Sequence, residues 1–342
     1  MKNGKLKIGA FTAALVLTAV LLPVEQPRGS VIPQPEERTS IVIVGDVMQH
    51  MPQVRAAATE NGGYDFAPQF DSIKRFFEAA GTVIANLETT LADEPPYSGY
   101  PAFATPSQLA RDLRLSGVDI VSLANNHICD RGANGIRSTI AALDREGIMH
   151  TGVFDDPVSA VRDNPLLFVS GGFRFALLAY TYGTNGIPVP EGTIVNLIDT
   201  ADMRRALDRV PADTDYTIMM IHWGEEYHRT QSPEQEALAG WCRRAGVDFV
   251  IGSHPHVTQP FVVERDSVAG VKGVTVFSLG NFISNQNDPY TDLGLMVRLD
   301  FDKRPYAPAR VAFRADTVRR LRYPKEGRMI YKVVRESGGT AE

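Results

Sequence analysis

From Thr39 onward, short apolar runs alternate with stretches of helical spacing. The runs are Ile41–Val44, Thr82–Ala85, Val118–Leu123, Leu166–Val169, Phe175–Tyr180, Tyr216–Ile221, Val247–Ile251 and Val274–Leu279. Their shortness and their β-branched and aromatic content predict buried strands. Between several of them, residues 70–80, 106–116, 133–146, 203–210 and 233–245 carry the spacing of amphipathic helices. Gly81, Gly117, Gly147 and Gly246 then stand where such helices end. Strand–helix alternation of this kind predicts an α/β fold with a largely parallel or mixed sheet. Residues 166–180, with Gly171 and Gly172 between two apolar runs, read as a β-hairpin. Residues 262–299 point to a second sheet. Beyond Asp302 the pattern fades, and residues 303–342 read as a C-terminal extension ending in a mobile tail.

The pattern ahead of Thr39 is different. Lys2, Lys5 and Lys7 precede a charge-free apolar run from Ile8 to Val24. That is the layout of an export signal, with the basic flank held inside and the rest of the chain carried outside. The run sits at the short limit of a membrane-spanning helix, so an uncleaved signal anchor and a cleaved signal peptide both fit. Residues 25–40, rich in Pro, Glu and Arg, have the composition of a solvated tether. The expected organisation is a signal or anchor over 1–24, a linker over 25–40, a main domain over 41–302 and the extension over 303–342. The expected location is the outer face of a bacterial cell membrane, or the exterior if the signal is cleaved.

Composition narrows the function classes. A net charge of -5 with interspersed signs shows none of the basic bias of a nucleic-acid-binding protein, so no nucleic-acid partner is expected. Cys129 and Cys242 are the only cysteines, too few for a disulfide framework or a thiolate zinc cage. They read as one possible bridge or as two buried thiols.

The candidate chemistry sits where the apolar runs stop. His127, His222, His254 and His256 follow such runs, as do Asp46, Glu88 and Asn126. In open α/β sheets, ligands bind at the carboxyl ends of strands, where neighbouring strands deliver their loops to one edge. Each residue alone has a bland reading, as a turn residue, a helix cap or a hydrogen-bonded core histidine. Five strand ends all carrying carboxylate, carboxamide or imidazole predict a metal centre instead. In an extended segment, His254 and His256 would face the same way. Oxygen and imidazole donors without thiolate suit Mn, Fe or Zn, and a central carboxylate can bridge a pair of cations. A hydroxyl-nucleophile triad is excluded, because Ser253 beside His254 lacks the Gly-x-Ser-x-Gly elbow.

The strings GDVM (45–48), NLE (86–88), ANNHICDRG (124–132), HWGEEY (222–227), GSHPHV (252–257) and SLGNF (278–282) resemble the CapA-type poly-γ-glutamate capsule biosynthesis proteins. These are a branch of the calcineurin-like metallophosphoesterases. The resemblance spans residues 41–285. It implies a four-layer α/β/β/α sandwich and a centre of two divalent metal ions. Carried over, Asn126, His222 and His254 serve one metal, Asp46 and His256 the other, and Glu88 bridges. His127 resembles the histidine that protonates a leaving group, with Asp130 as its orienting carboxylate. Glu226 and Tyr227 resemble substrate contacts. One departure stands out: Met48 occupies the position where the wider superfamily carries a second imidazole, in an Asp-x-His string.

The implied function is that of an extracytoplasmic hydrolase using a metal-bound hydroxide in poly-γ-glutamate capsule formation. Its substrate would be a phosphoester, or an amide or anionic polymer handled during capsule formation. The other implied reading is a membrane-anchored assembly or export factor that binds the polymer through its metals without turnover. Other capsule-synthesis membrane proteins are the partners that either reading implies.

Overall fold

The computed structural model describes residue 1 and residues 36–341, with side chains through residue 336. The expected signal or anchor and the linker up to residue 35 lie outside the described residues. No helix among the described residues is long and apolar enough to cross a membrane.

A 14-stranded mixed sheet organises the chain, with helices packed against it. One half holds Met149–Thr151, Ile120–Ser122, Thr82–Leu87 and Glu37–Val47, all parallel. The other half holds Gly270–Val276, Phe249–Ser253, Tyr216–His222 and Phe173–Thr181, also parallel. Leu166–Ser170 closes that edge by pairing antiparallel with Phe173–Thr181, the hairpin expected from Gly171 and Gly172. Between the halves run two long strands, Leu293–Lys303 and Arg310–Lys325, which pair antiparallel over most of their length. Leu293–Lys303 pairs with Glu37–Val47. Arg310–Lys325 reaches the other half at Gly270↔Val311. The strands of residues 262–299 therefore join one continuous hydrogen-bonded path and do not form a separate second sheet.

Side-chain alternation along the parallel strands divides the apolar residues into three cores. Val42, Val44, Val83 and Ala85 face helices Asp71–Glu78, Gln108–Ser116 and Gly132–Glu146, meeting Ile73, Leu113 and Ile140. Leu178, Met219, Ile221 and Val250 face helices Thr200–Leu207 and Pro233–Arg244, meeting Met203 and Ala239. Their sequence neighbours turn the other way: Ile41, Ile43 and Ile84 from one half meet Leu177, Ile218 and Ile251 from the other. Strands buried on both faces explain why the runs read as continuously apolar.

The helices begin and end on local signals. Ser232 accepts from Gln235 N while the Gln235 side chain accepts from Ser232 N, a reciprocal cap at the start of Pro233–Arg244. Gly117 and Gly147 close their helices at φ +104° and +67°, backbone that a side chain disfavours. Two short helices, Met51–Ala57 and Pro157–Arg162, lie outside the helical stretches read from the sequence.

Two expectations at the ends of the domain are corrected. Glu37–Ser40, read as linker, is strand paired with Asp300–Lys303. Residues 310–325 and 328–341, read as an extension and tail, form two long antiparallel strands. Phe313 and Val311 enter the central core, while Tyr331 and Val333 enter the core under the first helices. Charged residues alternating on the outer face weakened the apolar signal, as in a strand with one wet side.

Phe313→Ala should therefore destabilise the chain by about 3–5 kcal/mol, the usual cost of a large-to-small change in a core. Tyr306→Ala, at an exposed side chain, should change stability by less than about 0.5 kcal/mol. Urea unfolding midpoints check the pair, and equal midpoints would contradict the placement of this strand in the core.

Candidate metal centre

The carboxyl ends of the parallel strands from both halves meet at one edge, and the polar residues that terminate them are buried there. Asp46 stands in Glu37–Val47, opposite Asn86 of the adjacent strand. Its placement depends on Gly45, where a Cβ would fall 1.9 Å from the Gly280 carbonyl oxygen. That close approach lets Asp46 N donate to Gly280 O at 3.1 Å. Glu88 follows Thr82–Leu87, and its N–H donates to Val47 O at 3.0 Å. Asn126 and His127 lie past Ile120–Ser122, in a turn that Asn125 holds. Asn125 donates to Leu87 O at 2.8 Å and accepts from His127 N at 3.0 Å. His222 ends its strand, and His254 and His256 follow Phe249–Ser253.

The two last histidines do not sit in an extended segment, as their spacing suggested. Their φ values are +97° and +58°, in the left-handed region that costs a side-chain-bearing residue energy. The turn around Pro255 brings the rings to a centroid separation of 5.9 Å by a different route. Pro255 O accepts from Tyr227 N at 2.8 Å, which ties this turn to the loop after His222.

All six expected ligands converge. Asp46, Glu88 and His256 offer donor atoms within 4.8 Å of one another, and so do Glu88, His222 and His254. Glu88 belongs to both groups. Its Oε1 lies 3.5 Å from His222 Nε2 and 3.7 Å from His256 Nε2. Asp46 Oδ2 lies 3.1 Å from His256 Nδ1, and Asn126 Oδ1 lies 2.9 Å from His222 Nε2. His127 Nδ1 donates to Asp130 Oδ2 at 2.8 Å, and Asp130 also accepts from Phe103 N at 2.7 Å. The His127 ring packs edge-on against Phe103 at 4.7 Å. Glu226 and Tyr227 lie exposed on the loop beside His256, with Tyr227 6.2 Å from that ring.

Several residues that contact the cluster were not read from the sequence as part of it. Asn86 donates to Asp46 Oδ1 at 2.8 Å and lies 3.4 Å from Glu88 Oε2, holding the carboxylates apart. Its one visible signal is a carboxamide directly after the apolar run Thr82–Ala85, inside what the structure shows as the strand Thr82–Leu87. Ser253 Oγ lies 2.9 Å from His222 Nδ1, so it fixes the orientation of that ring. Tyr182, half-exposed, lies 4.6 Å from the His254 ring. His50, by contrast, does not take the place that Met48 leaves open. It caps Met51–Ala57, packs on Phe103 and belongs to none of the donor groups. Cys129 and Cys242 are free and buried in separate cores.

The electrostatics of the cluster are those of a site short of positive charge. Burial and the neighbouring Asp46 push the Glu88 carboxyl well above the usual range. Burial would also raise Asp46, but the hydrogen bond and charge of His256 outweigh it and hold Asp46 low. Burial opposes the charged form of His256, yet Glu88 and Asp46 overcome it and push the ring up to about 9. Burial lowers His222 to about 3, so that ring is neutral and offers a lone pair. Burial, then the nearby His222 and His256, lower His254 as well.

The donor set fits divalent cations. Glu88 Oε1, His254 Nδ1 and Asn86 Oδ1 are buried without a hydrogen-bond partner. Such orphaned acceptors are costly unless something binds them. Carboxylate, carboxamide and neutral imidazole are the donors that Mn, Fe and Zn accept. A cavity of about 1020 Å³ at the opposite ends of the strands, by Ser40, Gly81 and Ser170, holds none of these groups.

Residues 40–286 match the family described as bacterial capsule synthesis protein PGA_cap. The capsule biosynthesis protein CapA of Bacillus anthracis is 29% identical over 73% of this chain and 61% of its own length. The PGA biosynthesis protein CapA of Bacillus subtilis is 25% identical over 72% of this chain and 63% of its own length. The chain thus spans less than two thirds of either relative.

Without metal, the raised His256 sets a pH dependence. A base with a raised folded pKa contributes stability that is full below 6.5 and lost as pH rises through about 9. Glu88, also raised, acts with the same sign. The chelated chain should therefore lose stability, on the order of 2 kcal/mol, between pH 6.5 and 9. His256→Gln should flatten that slope, and added Mn2+ should restore stability at the alkaline end. Thermal melts across the range check this, and a flat profile for the chelated chain would contradict it.

Proposed function

The chain belongs to the bacterial capsule synthesis protein family, and on that premise we propose that it is an extracytoplasmic, metal-dependent hydrolase of poly-γ-glutamate capsule biosynthesis. The observation that carries the metal reading is Glu88, whose unpartnered Oε1 lies between His222 and His256 and belongs to two donor groups at once. Asn126, His222 and His254 would hold one cation, Asp46 and His256 the other, with Glu88 between them. Cations there supply a Lewis acid for a phosphoryl or carbonyl oxygen and lower the pKa of water. The three apolar cores support a four-layer α/β/β/α arrangement.

The chain's own residues do the rest. His127 donates from Nδ1 to Asp130, so Nε2 is the atom that exchanges a proton with a leaving group. Asp130 is itself fixed by Phe103 N, which holds the ring in one tautomer and one orientation. Phe103 against the ring excludes water from its face. Ser253 and Asn86 keep His222 and Asp46 in place while a substrate enters past the exposed Tyr182 and Tyr227. An anionic polymer or a phosphoester suits a site whose exposed loop after His222 also carries Arg229, stacked over Tyr290 at 4.2 Å. Export or anchoring is supported by the apolar run Ile8–Val24 behind three lysines, and its partners would be membrane proteins of polymer synthesis.

Elemental analysis of the purified chain, with turnover assays on phosphoester and γ-glutamyl substrates, tests the reading. His127→Ala should lower turnover by about 10²–10⁴-fold and leave the metal content unchanged. Unchanged turnover in that variant would overturn the role given to His127, whereas a metal-loaded unaltered chain with no turnover on any of these substrates would favour instead an assembly or export factor that binds polymer through its cations.

A further inference from the structure

The two donor groups around Glu88 are unequal. One has Glu88, His222 and His254, with Asn126 Oδ1 2.9 Å from His222 Nε2 as a fourth donor. The other has only Asp46, Glu88 and His256. A third group overlaps both: a Glu226 carboxylate oxygen and the ring nitrogens of His254 and His256 lie within 4.8 Å of one another. We infer that Glu226 is a further carboxylate ligand, completing the cation position served by Asp46, Glu88 and His256. The inference rests on the metal reading proposed above and reassigns Glu226 from a substrate contact.

The loop that carries Glu226 is built to hold it there. Tyr227 N donates to Pro255 O at 2.8 Å, so the loop is fastened to the same turn that presents His254 and His256. Tyr227 adopts φ +66°, a strained conformation for a tyrosine, and Gly224 turns at φ +88°. A Cβ at Gly224 would meet the Gln235 side chain at 2.8 Å, which keeps the loop close to its helix. The neighbouring Glu225 pairs with His228 at 3.4 Å, whereas no ion pair among the described residues engages Glu226. His254 Nδ1, in a side chain almost fully buried, has no hydrogen-bond partner either.

Charge argues the same way. Two divalent cations exceed the negative charge of Asp46 and Glu88 together, and a third carboxylate reduces the excess. Glu226 differs from the other ligands in being exposed. Its position on the cation is therefore the one that an incoming anionic oxygen can take without disturbing the buried donors. Such an exchangeable carboxylate keeps the ion bound when substrate is absent.

The test is calorimetric titration of the full chain, freed of metal by a chelator, with Mn2+ and with Zn2+. Glu226→Gln should weaken the more loosely held ion by about 10- to 100-fold and leave the tighter one unchanged. Glu225→Gln should bind both as the unaltered chain does. Glu226 is exposed, so melting curves of the metal-free variants should coincide. Equal affinities for Glu226→Gln and the unaltered chain would overturn the inference. Equal weakening by Glu225→Gln would also overturn it, by marking a general charge effect. An unaltered chain that binds neither ion would remove the metal reading itself, a separate failure.

Discussion

Asp46 and Glu88 are buried carboxylates at the ends of adjacent parallel strands, with Asn86 between them. Like charges in so dry a place repel, and each is deprived of water. The described residues answer this only in part. His256 is drawn toward its charged form, Glu88 toward its neutral form, and His222 and His254 remain uncharged lone-pair donors. Divalent cations would resolve what protons resolve poorly: they would bind the orphaned acceptors, neutralise both carboxylates and use the neutral imidazoles.

The fold exists around that edge. Parallel strands deliver their carboxyl ends together, and the crossings between the two halves bring five of those ends into reach. Leu293–Lys303 and Arg310–Lys325 stand between the halves and set how close they come. Residues far from the chemistry in sequence thus decide whether Glu88 lies between His222 and His256. The left-handed turn at His254 and His256 is strain held by packing, in a turn fastened to the loop after His222 through Tyr227 N and Pro255 O.

Much of this was legible in the residues. Apolar runs ending in Asp46, His222 and the His254 pair mark strand ends, because burial demands apolar strands and the edge tolerates polar ones. Other features were illegible for physical reasons. Asn86 received no reading of its own, since its partner Asp46 is adjacent only through sheet register. Ser253 looked like a failed nucleophile, and its contact with His222 depends on strands 31 positions apart. The strands after Asp302 hid because their outer faces are charged, and period-2 patterns weaken when one side meets water. The turn of His254 and His256 hid because local spacing implies extended backbone, whereas tertiary contacts enforce another conformation.

The centre is tested most directly by diffraction from crystals of the chain grown with Mn2+, recorded near the manganese edge. Two anomalous peaks are expected, one on each side of the Glu88 carboxylate, flanked by His222 with His254 and by Asp46 with His256. A Glu88 carboxylate with no peak beside it, while the ion occupies some other place, would rule out a metal centre at these strand ends.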